Sequence, residues 1–273
     1  MAKVASIVHE ISDITEFRTC AISLVCYATF VIALNVFKID AFILSKSWDP
    51  KVRKNASAST FEGIKNRAFL TSTLQSIVNA FMMVAGAIYL LQIHWDWFGM
   101  EGEFLMFNDD PTVFGLASIL AGYFACDFAM SLIFHHYFQD TGMVLHHFIF
   151  LTCCLINLYY KRFAFQFIWL ALGELSTPFV NFRWVLHLLG MKETKLYLLN
   201  AFVLSVLFII ARVFIYGAGL FHMLSMYHLL DDQAFCVRFV TPGFLCVGYV
   251  LNLYWSTKIF RGYYRLIYTK KRD

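Results

Sequence analysis

Apolar residues run through this chain in long blocks broken by short polar stretches, not in the alternating pattern of a half-buried strand. A helix that crosses a bilayer needs about 20 mostly apolar residues. Seven blocks approach or exceed that length: 21–37, 68–93, 112–134, 143–160, 163–189, 196–224 and 239–260. The second carries no charge. The third is interrupted by Asp127, and the fourth carries His146 and His147. The fifth carries Glu174, Pro178 and Arg183, the sixth carries Arg212 and His222, and the seventh is nearly featureless. Only Lys161 and Arg162 separate the fourth block from the fifth. Glu10, Asp13 and Glu16 precede the first block, and no small-x-small site follows it, so it reads as a retained span and not a cleaved leader. No repeat, low-complexity tract or soluble domain stands out. The expected class is all-α, with about seven transmembrane helices.

Composition points the same way. Of 273 residues, 60% are hydrophobic and 15% charged, and the mean hydropathy is +0.64. A soluble domain carries about 25% charged residues. These values exclude a disordered chain, a disulfide scaffold and a nucleic-acid partner. The seven cysteines fall mostly inside spans and show no zinc spacing, so they read as small packing residues or thiols.

Charge orients the spans. Most of the 22 lysines and arginines fall in the 38–67 loop, the 190–195 loop and the C-terminal tail, which an odd number of spans puts on one side. The positive-inside rule makes that side cytosolic and the N-terminus luminal. The acidic loop with Asp96, Glu101, Glu103, Asp109 and Asp110 is then luminal. The Asn55-Ala56-Ser57 sequon is cytosolic and expected to carry no glycan. Near the end, Lys270 and Lys271 resemble a dilysine retrieval signal, which implies coat-protein recognition and residence in the endoplasmic reticulum. Basic residues placed near anionic lipid give the alternative reading.

Ionisable groups in hydrocarbon are costly and need partners or a wet cavity. Counted along their helices, Asp127, His146, His147 and Glu174 fall in the middle and cytosolic half of the bilayer. They come from consecutive spans joined by short loops. A histidine backed by a carboxylate can serve as a base or nucleophile; a structural pair holding helices together is the competing use. Arg212 lies ~24 Å from its cytosolic entry, too deep to reach either face, and Glu174 is the acid nearest in depth. Arg183 is expected to snorkel to cytosolic headgroups. Pro178 removes a backbone hydrogen bond and is expected to kink span five beside Glu174. His135 and His136 bring the histidines around one hairpin to four, but the spacings of di-iron boxes are missing and no metal is expected.

Three motifs are familiar: Gly122-Tyr123-Phe124-Ala125-Cys126-Asp127, then Leu145-His146-His147, then Gly173-Glu174-Leu175-Ser176-Thr177-Pro178-Phe179-Val180-Asn181-Phe182-Arg183-Trp184. Together they resemble the TLC-domain family over about residues 62–262. The resemblance implies six helices bundled around a lipid-accessible cavity, with one extra helix in front. It divides the chain into 1–61 (luminal N-terminus, first helix and basic loop), the TLC domain at 62–262, and a basic tail at 263–273. Arg212, Pro178, Asn181 and Arg183 would line the cavity or support it.

Ceramide synthases of this family join a fatty acyl group from acyl-CoA to a sphingoid base. Their signature opens with His-His, matched here by His146 and His147, and ends with His-Asp-x-x-Asp. That ending falls on Gly173, Glu174 and Thr177, so one acid is kept as Glu while a histidine and the second carboxylate are absent. The resemblance therefore implies first a protein of the endoplasmic reticulum that binds or regulates membrane lipids, with fatty acyl chains or sphingoid bases as partners and no resident cofactor. An acyltransferase using acyl-CoA as co-substrate is the alternative, with His146 or His147 oriented by Asp127 or Glu174. A lipid transporter or a chaperone of membrane proteins is the third reading.

Overall fold

The computed structural model describes residues 2–269, with side chains for 15–265. Lys270 and Lys271 lie outside the described residues. The elements in chain order are α1 (Ala2–Val36), α2 (Ile39–Ser45), α3 (Pro50–Lys54), α4 (Phe61–Ile93), α5 (Gly102–Phe107), α6 (Pro111–Ile133), α7 (His135–Phe138), α8 (Thr141–Tyr160), α9 (Ala164–Leu172), α10 (Thr177–Leu188), α11 (Lys195–Phe208), α12 (Tyr216–Ser225) and α13 (Thr241–Thr269). Most long helices begin at polar residues that accept hydrogen bonds from the first turn. Thr60 caps α4, Asp110 caps α6 ahead of Pro111, Asp140 caps α8 and Thr194 caps α11.

Among the described residues, six helical stretches are long and apolar enough to cross a membrane: Thr15–Val36, Phe61–Ile93, Pro111–Ile133, Thr141–Tyr160, Lys195–Ser225 and Cys236–Arg265. The expected fifth span is not one helix. Its residues form α9, a 3-10 turn at Gly173–Ser176, and α10. It still traverses the bundle. At one end the Phe163 N–H donates to the Met106 carbonyl, and at the other the Trp48 N–H donates to the Leu189 carbonyl. Pro178 therefore starts a new helix instead of kinking an old one. It sits in the first turn of α10, where its missing N–H would have found no helical partner.

The bundle has two chemically distinct ends. One carries the acidic 94–110 loop; the other carries the 38–60 and 190–194 loops with Lys46, Lys51, Arg53, Lys54 and Lys192. These are its acidic and basic ends. At the basic end Arg67 organises the loop, donating to the carbonyls of Ala56 and Ala58 and lying 3.9 Å from Asp40.

A polar stripe on α4 ties its neighbours together. Ser72 donates to Asp127 of α6 at 2.8 Å, and the Cys126 thiol lies 3.8 Å from Gln75. Ser76 accepts from Asn181 of α10 at 2.8 Å, and Asn79 accepts from Tyr27 of α1 at 3.1 Å. Where a helix cannot gain by leaving lipid for protein, such hydrogen bonds and close packing of small residues hold the bundle.

α1 packs along α6 through small residues. A Cβ added to Gly122 would lie 2.6 Å from Ser23 Oγ and 2.7 Å from the Cys20 carbonyl oxygen, whereas Gly115 on the same helix meets nothing within 4 Å. Gly122→Val is expected to destabilise the protein by about 2 kcal/mol, since the helix axes must part to admit it. Gly115→Val serves as control and leaves the thermal midpoint in detergent unchanged. Equal midpoints for the two variants would contradict the close approach.

Near the acidic end, Glu16 of α1 forms an ion pair with Lys161, in the turn between α8 and α9. Lys161 is 1% exposed and its ammonium lies 5.0 Å from the centre of the Phe114 ring. Lys161, one of the two residues separating the fourth and fifth blocks, turns inward, in the left-handed conformation at φ 53°.

Candidate functional site

A cavity of about 300 Å³ lies among α6, α8, the broken crossing, α11 and α13. Its wall runs from Asp140, Arg183 and Lys258 near the basic end to His146, Glu174 and Arg212 deeper in the bundle. A crevice of about 20 Å³ shares His146, Glu174 and Arg212 and continues between Leu120, Phe150, Phe167 and Tyr216. Unpaired charge thus sits at the mouth, an ion pair and histidines at the waist, and mostly apolar side chains beyond.

The two histidines, adjacent on α8, do different things. His147 Nε2 lies 3.2 Å from Asp127 Oδ2, and its Nδ1 lies 3.4 Å from the Ser131 hydroxyl. One tautomer satisfies both contacts, with Nε2–H donating to the carboxylate and Nδ1 accepting from the serine. Asp127 also accepts from Ser72 at 2.8 Å and from Tyr123 at 3.2 Å. It stands behind His147, while His147 itself reaches the cavity. His146 is held by rings: Phe150 at 4.6 Å and Trp255 at 5.3 Å between centroids. Its Nδ1 is buried without a hydrogen bond. Of the pair, His146 is the one with a ring nitrogen left to spend on a ligand.

Glu174 orients neither histidine. Its Oε1 accepts from the Arg212 guanidinium at 2.8 Å, and the same nitrogen donates to the Thr177 hydroxyl at 2.8 Å. Both partners come from irregular backbone. Glu174 lies in the 3-10 turn, and Arg212 lies in a π-helical segment, Ile209–Ile215, between α11 and α12. A wider turn of this kind swings one side chain out of the regular register and is often found at functional sites. Gly173 packs beside the guanidinium; a Cβ there would lie at an ordinary contact distance, 3.7 Å from Arg212 Nε.

The remaining candidates fall around the same space. Asn181 lines the cavity while donating to Ser76. Arg183 also lines it and stacks on Trp184 at 4.8 Å, where the sequence suggested a side chain reaching outward to headgroups. Pro178 frames the turn without lining the cavity. His135 and His136 are exposed on α7, His136 against the Phe61 ring. Among the described residues no group of three or more His, Cys, Asp or Glu stands ready to hold a metal ion.

Sequence reasoning missed one wall. Asn252, Trp255, Lys258 and Ile259 of α13 line the cavity, although the seventh block reads as featureless. Spacing was the available signal: these positions recur at helical intervals on one face. Tyr123 and Ser76 were missed because an uncharged hydroxyl in an apolar run gives no contrast.

Among the described residues, a helical bundle with two buried polar clusters around an internal cavity defines a polytopic membrane protein with a candidate intramembrane site. Residues 70–261 match the family model described as TLC domain, and the chain belongs to that family. It is similar to TLC domain-containing protein 4 A of Dictyostelium discoideum, at 26% identity over 54% of this chain and 57% of that protein. TLC domain-containing protein 4-B of Xenopus laevis is 26% identical over 58% of this chain and 62% of its own length. The human TLC domain-containing protein 4 is 27% identical over 55% and 58% respectively. The chain thus spans about three fifths of the length of these curated relatives.

Proposed function

We propose that this protein binds a membrane lipid in the cavity beside His146, with the head at the basic end and the tail toward the crevice, and acts in lipid homeostasis. The graded lining carries the reading. Arg183, Lys258 and Asp140 mark the mouth, and the walls beyond Arg212 and Glu174 are mostly apolar, with Asn157 the polar exception. That gradient matches an amphiphile and suits neither an ion nor a sugar. The skew of basic residues supports a cytosolic mouth.

Purification in mild detergent followed by lipid extraction tests this. Acyl lipid at about one molecule per chain is expected, falling about tenfold in Val180→Trp, which fills the cavity from α10. A lipid complement no different from that of an unrelated membrane protein prepared alongside would refute the reading.

Acyl transfer is the second reading, favoured by the unpaired His146 Nδ1. His146 would take the proton of an amine or hydroxyl as that atom forms a bond to the thioester carbonyl carbon of acyl-CoA. The carbon–sulfur bond breaks, and the proton passes to the departing thiolate. His147 and Asp127 would position His146 through the shared helix turn. His146→Ala is then expected to lower thiol release from acyl-CoA by about 10²–10⁴-fold. Either no release by the wild type or release that survives the substitution rules this reading out.

A further inference from the structure

The cavity wall carries polar atoms that the fold leaves without partners. Among the described residues, His146 Nδ1, Arg183 Nε, Arg212 Nε and both amide atoms of Asn252 are buried and make no hydrogen bond. All four residues line the cavity. Asn252 stands apart from the rest. It is 0% exposed, and its side chain offers two donors and one acceptor. A leucine has the same branched skeleton, with methyls in place of the amide atoms, and carries no desolvation penalty, so an unpaired amide here is costly unless something meets it.

We infer that Asn252 recognises a group that both donates and accepts, an amide or a hydroxyl, carried by an amphiphile just below its head. The inference rests on the lipid-binding reading above and adds the ligand's chemical class to it. Arg183 and Arg212 present only N–H donors, which an ester or carboxylate would satisfy. The Asn252 carbonyl needs a donor in return, and neither an ester, a hydrocarbon tail nor a phosphodiester has one. Charge points the same way. Arg212 and Glu174 neutralise one another at 2.8 Å, so the waist holds no surplus charge for an ionised group. The surplus is at the mouth, where Arg183 and Lys258 face Asp140 alone.

Four radiolabelled probes of matched chain length test the inference on the full chain in detergent, by scintillation proximity. Palmitamide and hexadecanol donate and accept; methyl palmitate only accepts; hexadecane does neither. The wild type is expected to hold the first two about tenfold more tightly than the others. Asn252→Leu should bring all four within about twofold by weakening the first two alone, with a thermal midpoint no lower than that of the wild type. Should the leucine variant be poorly folded, Asn252→Ala must lose the same preference. A wild type without the preference, or a variant that retains it, overturns the role of Asn252 and leaves lipid binding standing. Failure of every probe to bind saturably overturns both.

Discussion

Glu174→Gln is expected to lower the stability of the protein by about 3 kcal/mol, because it leaves the Arg212 guanidinium charged, buried and facing a neutral amide. Arg212→Met should cost about as much, for the mirrored reason. The double variant is the informative one. Removing both charges removes the need for either, so Glu174→Gln with Arg212→Met should cost no more than either change alone, a coupling of about 3 kcal/mol. Unfolding in mixed micelles, followed by tryptophan fluorescence, measures all three. Additive losses would mean that the two residues do not depend on each other, against the 2.8 Å contact. Irregular backbone on both sides makes the pair a clamp. The 3-10 turn of the broken crossing and the π segment after α11 are each less regular than the helices they join, and the ion pair pins one to the other.

The second large effect is expected at Asp127. Its carboxylate accepts from Ser72 and Tyr123 and pairs with His147, drawing on α4, α6 and α8 at once. Asp127→Ala removes the common acceptor and strands buried hydroxyl and ring N–H donors, an expected loss of about 3 kcal/mol. Ser72→Ala and Tyr123→Phe each delete one donor and should cost about 1 kcal/mol. Asp127→Asn keeps the shape and should fall between these limits. If Asp127→Ala costs no more than Ser72→Ala, the carboxylate is not the hub that its distances describe.

Much of this architecture can be read from the order of residues. Long apolar blocks bounded by Thr60, Asp110, Asp140 and Thr194 announce where helices start, because a capped terminus and a lipid-crossing length are local properties. Intramembrane charge is also local, so His146, Glu174 and Arg212 can be picked out one by one, and matching their depths brings Glu174 to Arg212. Span five shows where this stops. Its length and hydropathy suit an unbroken helix, and the 3-10 turn at Gly173–Ser176 falls where Arg212 of another helix reaches Glu174. The histidines show a second limit. Neighbours on one helix point about 100° apart, so two equal letters acquire unequal roles only when Asp127 and Ser131 come round to one of them. Asn252 is the third case, since a single amide in an apolar run gains meaning only from the cavity it borders.

The ion pair between Glu16 and Lys161 bears on how the protein is made. The ribosome delivers the carboxylate early, and its ammonium partner follows only after more than half of the 273-residue chain has been added. Through that interval the first helix has no Lys161 to neutralise its acidic end, and the cheapest place for that end is the water-facing rim of the membrane. The pair can form only once the turn carrying Lys161 is in place, so this contact between the first helix and the middle of the bundle is expected to be a late one.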